Sequence, residues 1–174
     1  MAERFDSTGN VGGVLKDCLD TMVEEIRAQL EATGTNASMR TSDSLEVVMT
    51  KTGGQILARE YFQGVEMGRP AGKVPHGFQS IIKQWILDKK IQVTPVPYKT
   101  DRPHKYDERE RSLNIAAGAI AHTIATSGTQ LYRNGGRTDI FTEVINRNMQ
   151  GLMLKLETET ITDIRYWKAT TKGY

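Results

Sequence analysis

Few side chains in this chain can carry chemistry, and their spacing limits what that chemistry could be. The three histidines, His76, His104 and His122, are scattered, and none stands in a metal-ligand pattern such as HExxH. The one cysteine, Cys18, cannot make an internal disulfide or a multi-thiolate site, and its place on an apolar helical face marks it as core. Paired carboxylates, Glu24 with Glu25 and Glu157 with Glu159, lie on polar helical faces and read as solvated charge. GxSxG, DxDxDG and Walker patterns are absent from the sequence. The expectation is a protein that is not an enzyme, with no catalytic residue, no cofactor and no metal.

Two glycine-rich runs, TKTGG ending at Gly54 and RNGGR around Gly135, lack the strand, GxxxxGK[ST], helix order that wraps a phosphate, so both read as turns. The least generic stretch is GRPAGKVP, residues 68–75, just before an apolar run holding Trp85. It could cradle a phosphate, present an arginine, or turn the chain. Pro70 and Pro75 fix φ and remove two backbone donors, while Gly68 and Gly72 reach conformations that other residues resist. That chemistry favours a corner leading from a strand into the Trp85 helix. Arg69 is left as a secondary handle that braces the corner or a neighbouring subunit, with Glu66 as one salt-bridge partner.

The elements that must hold this corner are legible from periodicity. Over 11–32, Val14, Leu15, Cys18, Leu19, Met22, Ile26 and Leu30 recur at three- and four-residue steps, predicting an amphipathic helix stopped by Gly34. SLEVVMT alternates, and QILAREYFQ resumes with β-formers after KTGG. The pair reads as a hairpin over 44–62, with Gly53 and Gly54 supplying positive φ in the turn. GFQSIIKQWILDKK puts Phe78, Ile81, Ile82, Trp85 and Ile86 on one helical face. Asp107 opens a further helix with Leu113, Ala117, Ile120 and Ile124 on one stripe. Thr138 is the expected N-cap of the last helix, whose apolar positions are Phe141, Val144, Ile145, Leu152, Leu156 and Ile164, with a break near Gly151.

Between the two middle helices, residues 91–106 hold three prolines and read as an extended surface loop, in which Pro95, Pro97, Tyr98, Arg102 and Pro103 are candidates for subunit contact. From Lys99 to Arg111 five basic residues face four acidic ones, a mixed surface and not a basic patch. The expected fold class is α+β, a small antiparallel sheet packed by three or four helices. Its boundaries are a flexible arm over 1–10, one domain over 11–166 and a flexible tail over 167–174.

Composition agrees with a small folded unit. A length of 174 residues suits one domain, since domains commonly run to about 100–200 residues. The net charge of +2, from 23 basic and 21 acidic residues, is too near neutral to attract a polyanion at long range. The start of the chain lacks the basic-then-apolar order of a secretory signal, and no apolar run approaches the roughly 18 residues of a membrane span. A cytoplasmic site of synthesis, with no membrane partner, is the expectation, and the acceptor-like NAS at Asn36 carries no weight.

The run YFQGVEMGRPAGKVPHGFQSIIKQWILDKKI resembles the signature of tail-completion and head-to-tail joining proteins of tailed double-stranded DNA bacteriophages. In that family an E-x-G-R-x-P-G-x-x-P-like segment precedes a helix ending I-x-x-W-x-x-x-K-x-I. The matching positions are Glu66, Gly68, Arg69, Pro70, Gly72, Pro75, Ile82, Trp85, Lys89 and Ile91, and more weakly Gly128, Thr129 and Gly135. Ala71, between the proline and Gly72, departs from the pattern, and the loop over 93–110 is longer than the family's.

The resemblance implies a structural virion protein without catalytic residues. It would form a homo-oligomeric ring at the neck or upper tail, joining portal, adaptor or tail proteins around the DNA channel, and would be assembled in the host cytoplasm. DNA would lie close by without specific contact. The alternative from the residues is an accessory protein that meets nucleic acid on a local basic face of Arg69, Lys73, Lys83, Lys89 and Lys90.

Overall fold

The computed structural model describes residues 10–99 and 103–171. The element order is α1 (Asn10–Ala32), β1 (Glu46–Thr50), β2 (Gly53–Leu57), a 3-10 turn (Glu60–Gln63), α2 (Gly64–Met67), α3 (Phe78–Asp88), α4 (Glu108–Ser127), α5 (Gln130–Arg133) and α6 (Thr142–Thr171). This is an α+β fold whose sheet is one antiparallel hairpin. The chain groups into two compact units. One is drawn from Met1–Asn36, Arg40–Phe62 and Thr138–Tyr174, the other from Ala37–Met39 and Gln63–Arg137.

In the first unit α1 packs against α6 and both strands. Its apolar stripe does this: Leu19, Met22, Val23, Ile26 and Leu30 are buried, as are Leu45, Ile140, Val144 and Leu152 on the partner segments. Fully burying an aliphatic side chain is worth roughly 1.5–3 kcal/mol, so this stripe dominates the unit's stability. Helix α1 ends as expected at Gly34, with φ +61; Gly34 N–H donates to Glu31 O and Thr35 N–H to Leu30 O, the paired bonds of a Schellman stop. The Arg27 guanidinium, also bonded to Glu24, donates to the Ser42 and Leu45 carbonyls and so ties the loop before β1 to the helix.

The hairpin is shorter than the expected 44–62, and its glycines do a different job. Thr50 pairs with Gly53, so Lys51 and Thr52 occupy the turn, closed by the Thr50 hydroxyl donating to Gly53 O. Gly53 and Gly54 are the first residues of β2. A Cβ on Gly54 would lie 2.5 Å from Leu19 Cδ1 and 2.8 Å from Met49 Sδ, so close packing of the hairpin on α1 disfavours a side chain there. Strand β2 ends at Leu57, and 60–67 turn helical although they carry β-formers, because among the described residues no third strand is present to pair with them.

Helix α6 begins at Thr142, four residues after the expected cap; Thr138 instead accepts Glu143 N–H on its carbonyl and donates its hydroxyl to Glu143. The helix passes Gly151 without the expected break and runs to Thr171, into the region expected as a tail. Thr158, Thr160 and Thr162 each donate a hydroxyl to the carbonyl four residues earlier, so these exposed hydroxyls are bonded within the helix.

In the second unit α3 packs on α4. Ile82, Ile86 and Ala117 form its buried centre, with Phe78, Val93, Leu113, Ile120 and Ile124 packed around them. The seam is narrower than the sequence stripe: Ile81 and Trp85, expected on the buried face, are 54% and 40% exposed. Successive positions on a helix are turned by about 100°, and one partner helix covers only the 82/86 edge. Asp107 caps α4 as expected, accepting from Glu110 N–H.

Two stability effects follow. Glu25 Oε2 accepts 2.7 Å bonds from Arg147 Nη2 and Asn148 Nδ2, linking α1 to α6, and these bonds hold its carboxyl below the usual glutamate range. A lowered folded value means the stabilisation is present above the unfolded value and is lost as pH falls through the folded one. Melting at pH 6 and pH 3 should therefore show a larger acid-induced drop in wild type than in Glu25→Gln. Lys90 closes α3 in a left-handed conformation, φ +53, with Ile91 N–H on Ile86 O. Lys90→Gly should raise stability by about 1 kcal/mol in denaturant titration, because glycine removes the Cβ conflict.

Candidate functional site

The GRPAGKVP corner is entered from the helical turn α2 and not from a strand, and it leads into α3. Gly68 ends α2 with φ 70 and ψ −169, and Gly128 ends α4 with φ 76 and ψ 176, a backbone region open essentially to glycine alone. The two ends meet. A Cβ on Gly68 would lie 2.5 Å from Tyr132 N and 2.6 Å from Thr129 Oγ1, and one on Gly128 would lie 2.7 Å from Arg69 O.

Thr129 is the fastener between them. Its hydroxyl oxygen accepts from Arg69 N–H at 2.9 Å and from Tyr132 N–H at 3.3 Å, capping α5, while its own N–H donates to Arg69 O. Gly72 N–H donates to Ala125 O, and Arg137 N–H to Glu66 O. Residues 66–72 are thus stitched to 125–137 by backbone bonds, which brings the two resemblance-bearing stretches together. Gly136 and not Gly135 makes the close approach on this side, its Cβ position 2.9 Å from Glu66 O; the Gly135 position faces open space.

The motif's side chains divide their work. Glu66 is completely buried. The Arg69 guanidinium turns away from the expected Glu66 bridge: Nη2 donates to Lys73 O at 2.8 Å and the group lies 5.4 Å from the Phe78 ring centroid. Pro75 O accepts Phe78 N–H as α3 begins. Pro70 and Gly72 are exposed, and Gly72 adopts φ +134. Beside the corner, Trp85, Phe78, Ile82, Ile120, Ile124 and Leu131 line an apolar cleft of about 730 Å³, with Arg69 and Arg133 also on its wall. The sequence pattern missed this cleft by assigning Trp85 to the core.

The proline loop is held to α4. Val96 N–H donates to the buried Ser112 hydroxyl, and Arg111 Nη1 donates to the Val96 and Pro97 carbonyls. Tyr98 stacks on His104 with ring centroids 3.4 Å apart, carries Arg111 over its ring, and donates its hydroxyl to Tyr106 O. Pro95, Pro97 and Pro103 are exposed on this strapped segment, whereas Arg102 lies outside the described residues.

The remaining chemical candidates do not converge. His76, His104 and His122 are all exposed. Among the described residues no three metal-ligating side chains cluster, and no helix is long and apolar enough to cross a membrane. Burial raises the Cys18 thiol, which disfavours the reactive thiolate. Of the five residues in the basic-face alternative, Arg69 is committed to the corner and Lys83 pairs with Glu110 at 3.2 Å. No protein family, curated protein or solved structure matches the chain.

The corner makes a graded prediction. Gly68→Val must break both the backbone conformation, about 1–3 kcal/mol, and the Tyr132 contact, so loss of soluble protein or a sharply lowered melting point is expected. Thr129→Ala should cost about 1–2 kcal/mol through the lost cap and the orphaned Arg69 N–H, and Thr129→Ser should recover most of it. Lys73→Ala, at an exposed side chain, should melt like wild type.

Proposed function

We propose that this chain is a ring-forming structural subunit of a bacteriophage neck or upper tail, joining the head-side portal or adaptor to the tail around the DNA channel. The observation that carries the reading is large apolar side chains left in water on well-formed helices. On α6, Met153 and Leu154 are 66% and 67% exposed, and Ile161 and Ile164 are also exposed; on α3, Ile81, Trp85 and Leu87 are exposed. Large apolar side chains left exposed in such numbers on regular helices favour a contact with another protein.

Three features support placing that contact in a virion ring. The GRPAGKVP corner and the Trp85 helix resemble the tail-completion and joining family. Near-neutral net charge lets identical copies pack side by side. The site is a corner stitched by backbone hydrogen bonds, as suits a mechanical joint. The alternative on nucleic acid has less to stand on, since Arg69 and Lys83 are already engaged within the fold.

Light scattering coupled to size exclusion, with negative-stain microscopy, tests the reading on the purified chain and on particles of the parent phage. Closed rings of one size, and the chain within particles, are expected. A strict monomer at all concentrations that is missing from particles overturns the proposal.

A further inference from the structure

The cleft and the stripe complement one another. On α6 the positions Leu154, Glu157, Ile161 and Ile164 follow steps of three, four and three, so they share one face, and all four are exposed. From first to last they span about 15 Å of helix. This is the anchor spacing with which an amphipathic helix enters an apolar groove. The cleft beside the corner is such a groove, flanked by α3, whose 11 residues run about 16 Å. Its volume of about 730 Å³ suits several side chains.

Charge selects the occupant. Glu157 places a carboxylate in the middle of an otherwise apolar stripe, where burial would be costly without a cation. Among the described residues, the ionisable ones on the cleft wall are Arg69 and Arg133. Both have neutral hydrogen-bond partners, Arg69 on Lys73 O and Arg133 Nη2 on Gln130 Oε1 at 2.6 Å, so among the described residues neither charge is met by a carboxylate. A stripe with one central acid and a groove with two bases, both carried by the same chain, point to a second copy as the partner.

We propose that the cleft of one copy receives the Leu154, Glu157, Ile161, Ile164 face of α6 from the next copy. The inference rests on the ring reading and supplies its subunit contact. Stripe and cleft are different surfaces, so the contact is heterologous and repeats head to tail, the arrangement that closes into a ring when the rotation permits.

The test uses the full-length chain and reads the concentration at half-assembly. Leu154→Asp with Ile161→Asp, both at exposed positions and so compatible with folding, should raise it at least about tenfold. Glu157→Arg and Arg133→Glu should each raise it about tenfold, and the two together should return it to within about threefold of wild type. A second readout mixes a Leu131→Cys copy with an Ile161→Cys copy, each also Cys18→Ala, and adds a short bismaleimide. A cross-linked dimer is expected only from the mixture. If wild type forms rings but the mixture gives no cross-link, or the double aspartate variant assembles like wild type, this contact is wrong and the ring reading survives. If wild type never assembles, both fall.

Discussion

The second unit depends on one close approach, the meeting of the Gly68 and Gly128 backbones across the Thr129 hydroxyl. Neither helix end could take a side chain there, because both backbones occupy a conformation nearly closed to other residues and each faces main-chain atoms of the other segment. Once they touch, the route of the chain is narrowly set. Arg69 bonds to Thr129 through both main-chain groups, Gly72 reaches Ala125, and the chain must leave through Pro75 into α3. Helix α3 then meets α4 along Ile82 and Ile86, and Trp85 is turned outward into the cleft wall. The cleft is therefore a product of the corner.

The first unit is held by a different kind of force. Its stability lies in the apolar stripe of α1, which is covered by α6 and the hairpin, with directional bonds from Arg27 and Glu25 fixing how the pieces meet. Helix α6 has 30 residues against 23 in α1, so an end-to-end pairing would leave roughly 10 Å of it without a partner in α1. Buried Val144 and Leu152 sit in the earlier part of α6, and the exposed apolar face lies in the later part. This long helix satisfies one partner and still carries apolar side chains beyond it.

Much of this was legible in the chain itself. The α1 stripe, the Gly34 stop, the Asp107 cap and the α4 stripe all follow from local rules, because periodicity and capping depend on neighbours within a few residues. The errors share one cause, the absence of local information about partners. QILAREYFQ has strand-forming residues but, among the described residues, nothing to pair with beyond Leu57. The glycines after KT looked like turn residues, yet Gly54 answers to Leu19, more than thirty positions earlier. Gly151 looked like a breaker, although its site on α6 is exposed and glycine there costs only about 1 kcal/mol.

By itself, then, the sequence determined where α1, α3 and α4 form, that a hairpin follows α1, and that GRPAGKVP turns the chain. Tertiary structure alone decided that the corner closes on Gly128 and Thr129, that Arg69 turns to Lys73 and Phe78, and that Trp85 faces a cleft. The division has a physical reason. Dihedral preferences and helical period are properties of short segments, whereas burial and hydrogen-bond partners belong to pairs that the chain brings together across tens of residues, sixty in the case of Arg69 and Thr129.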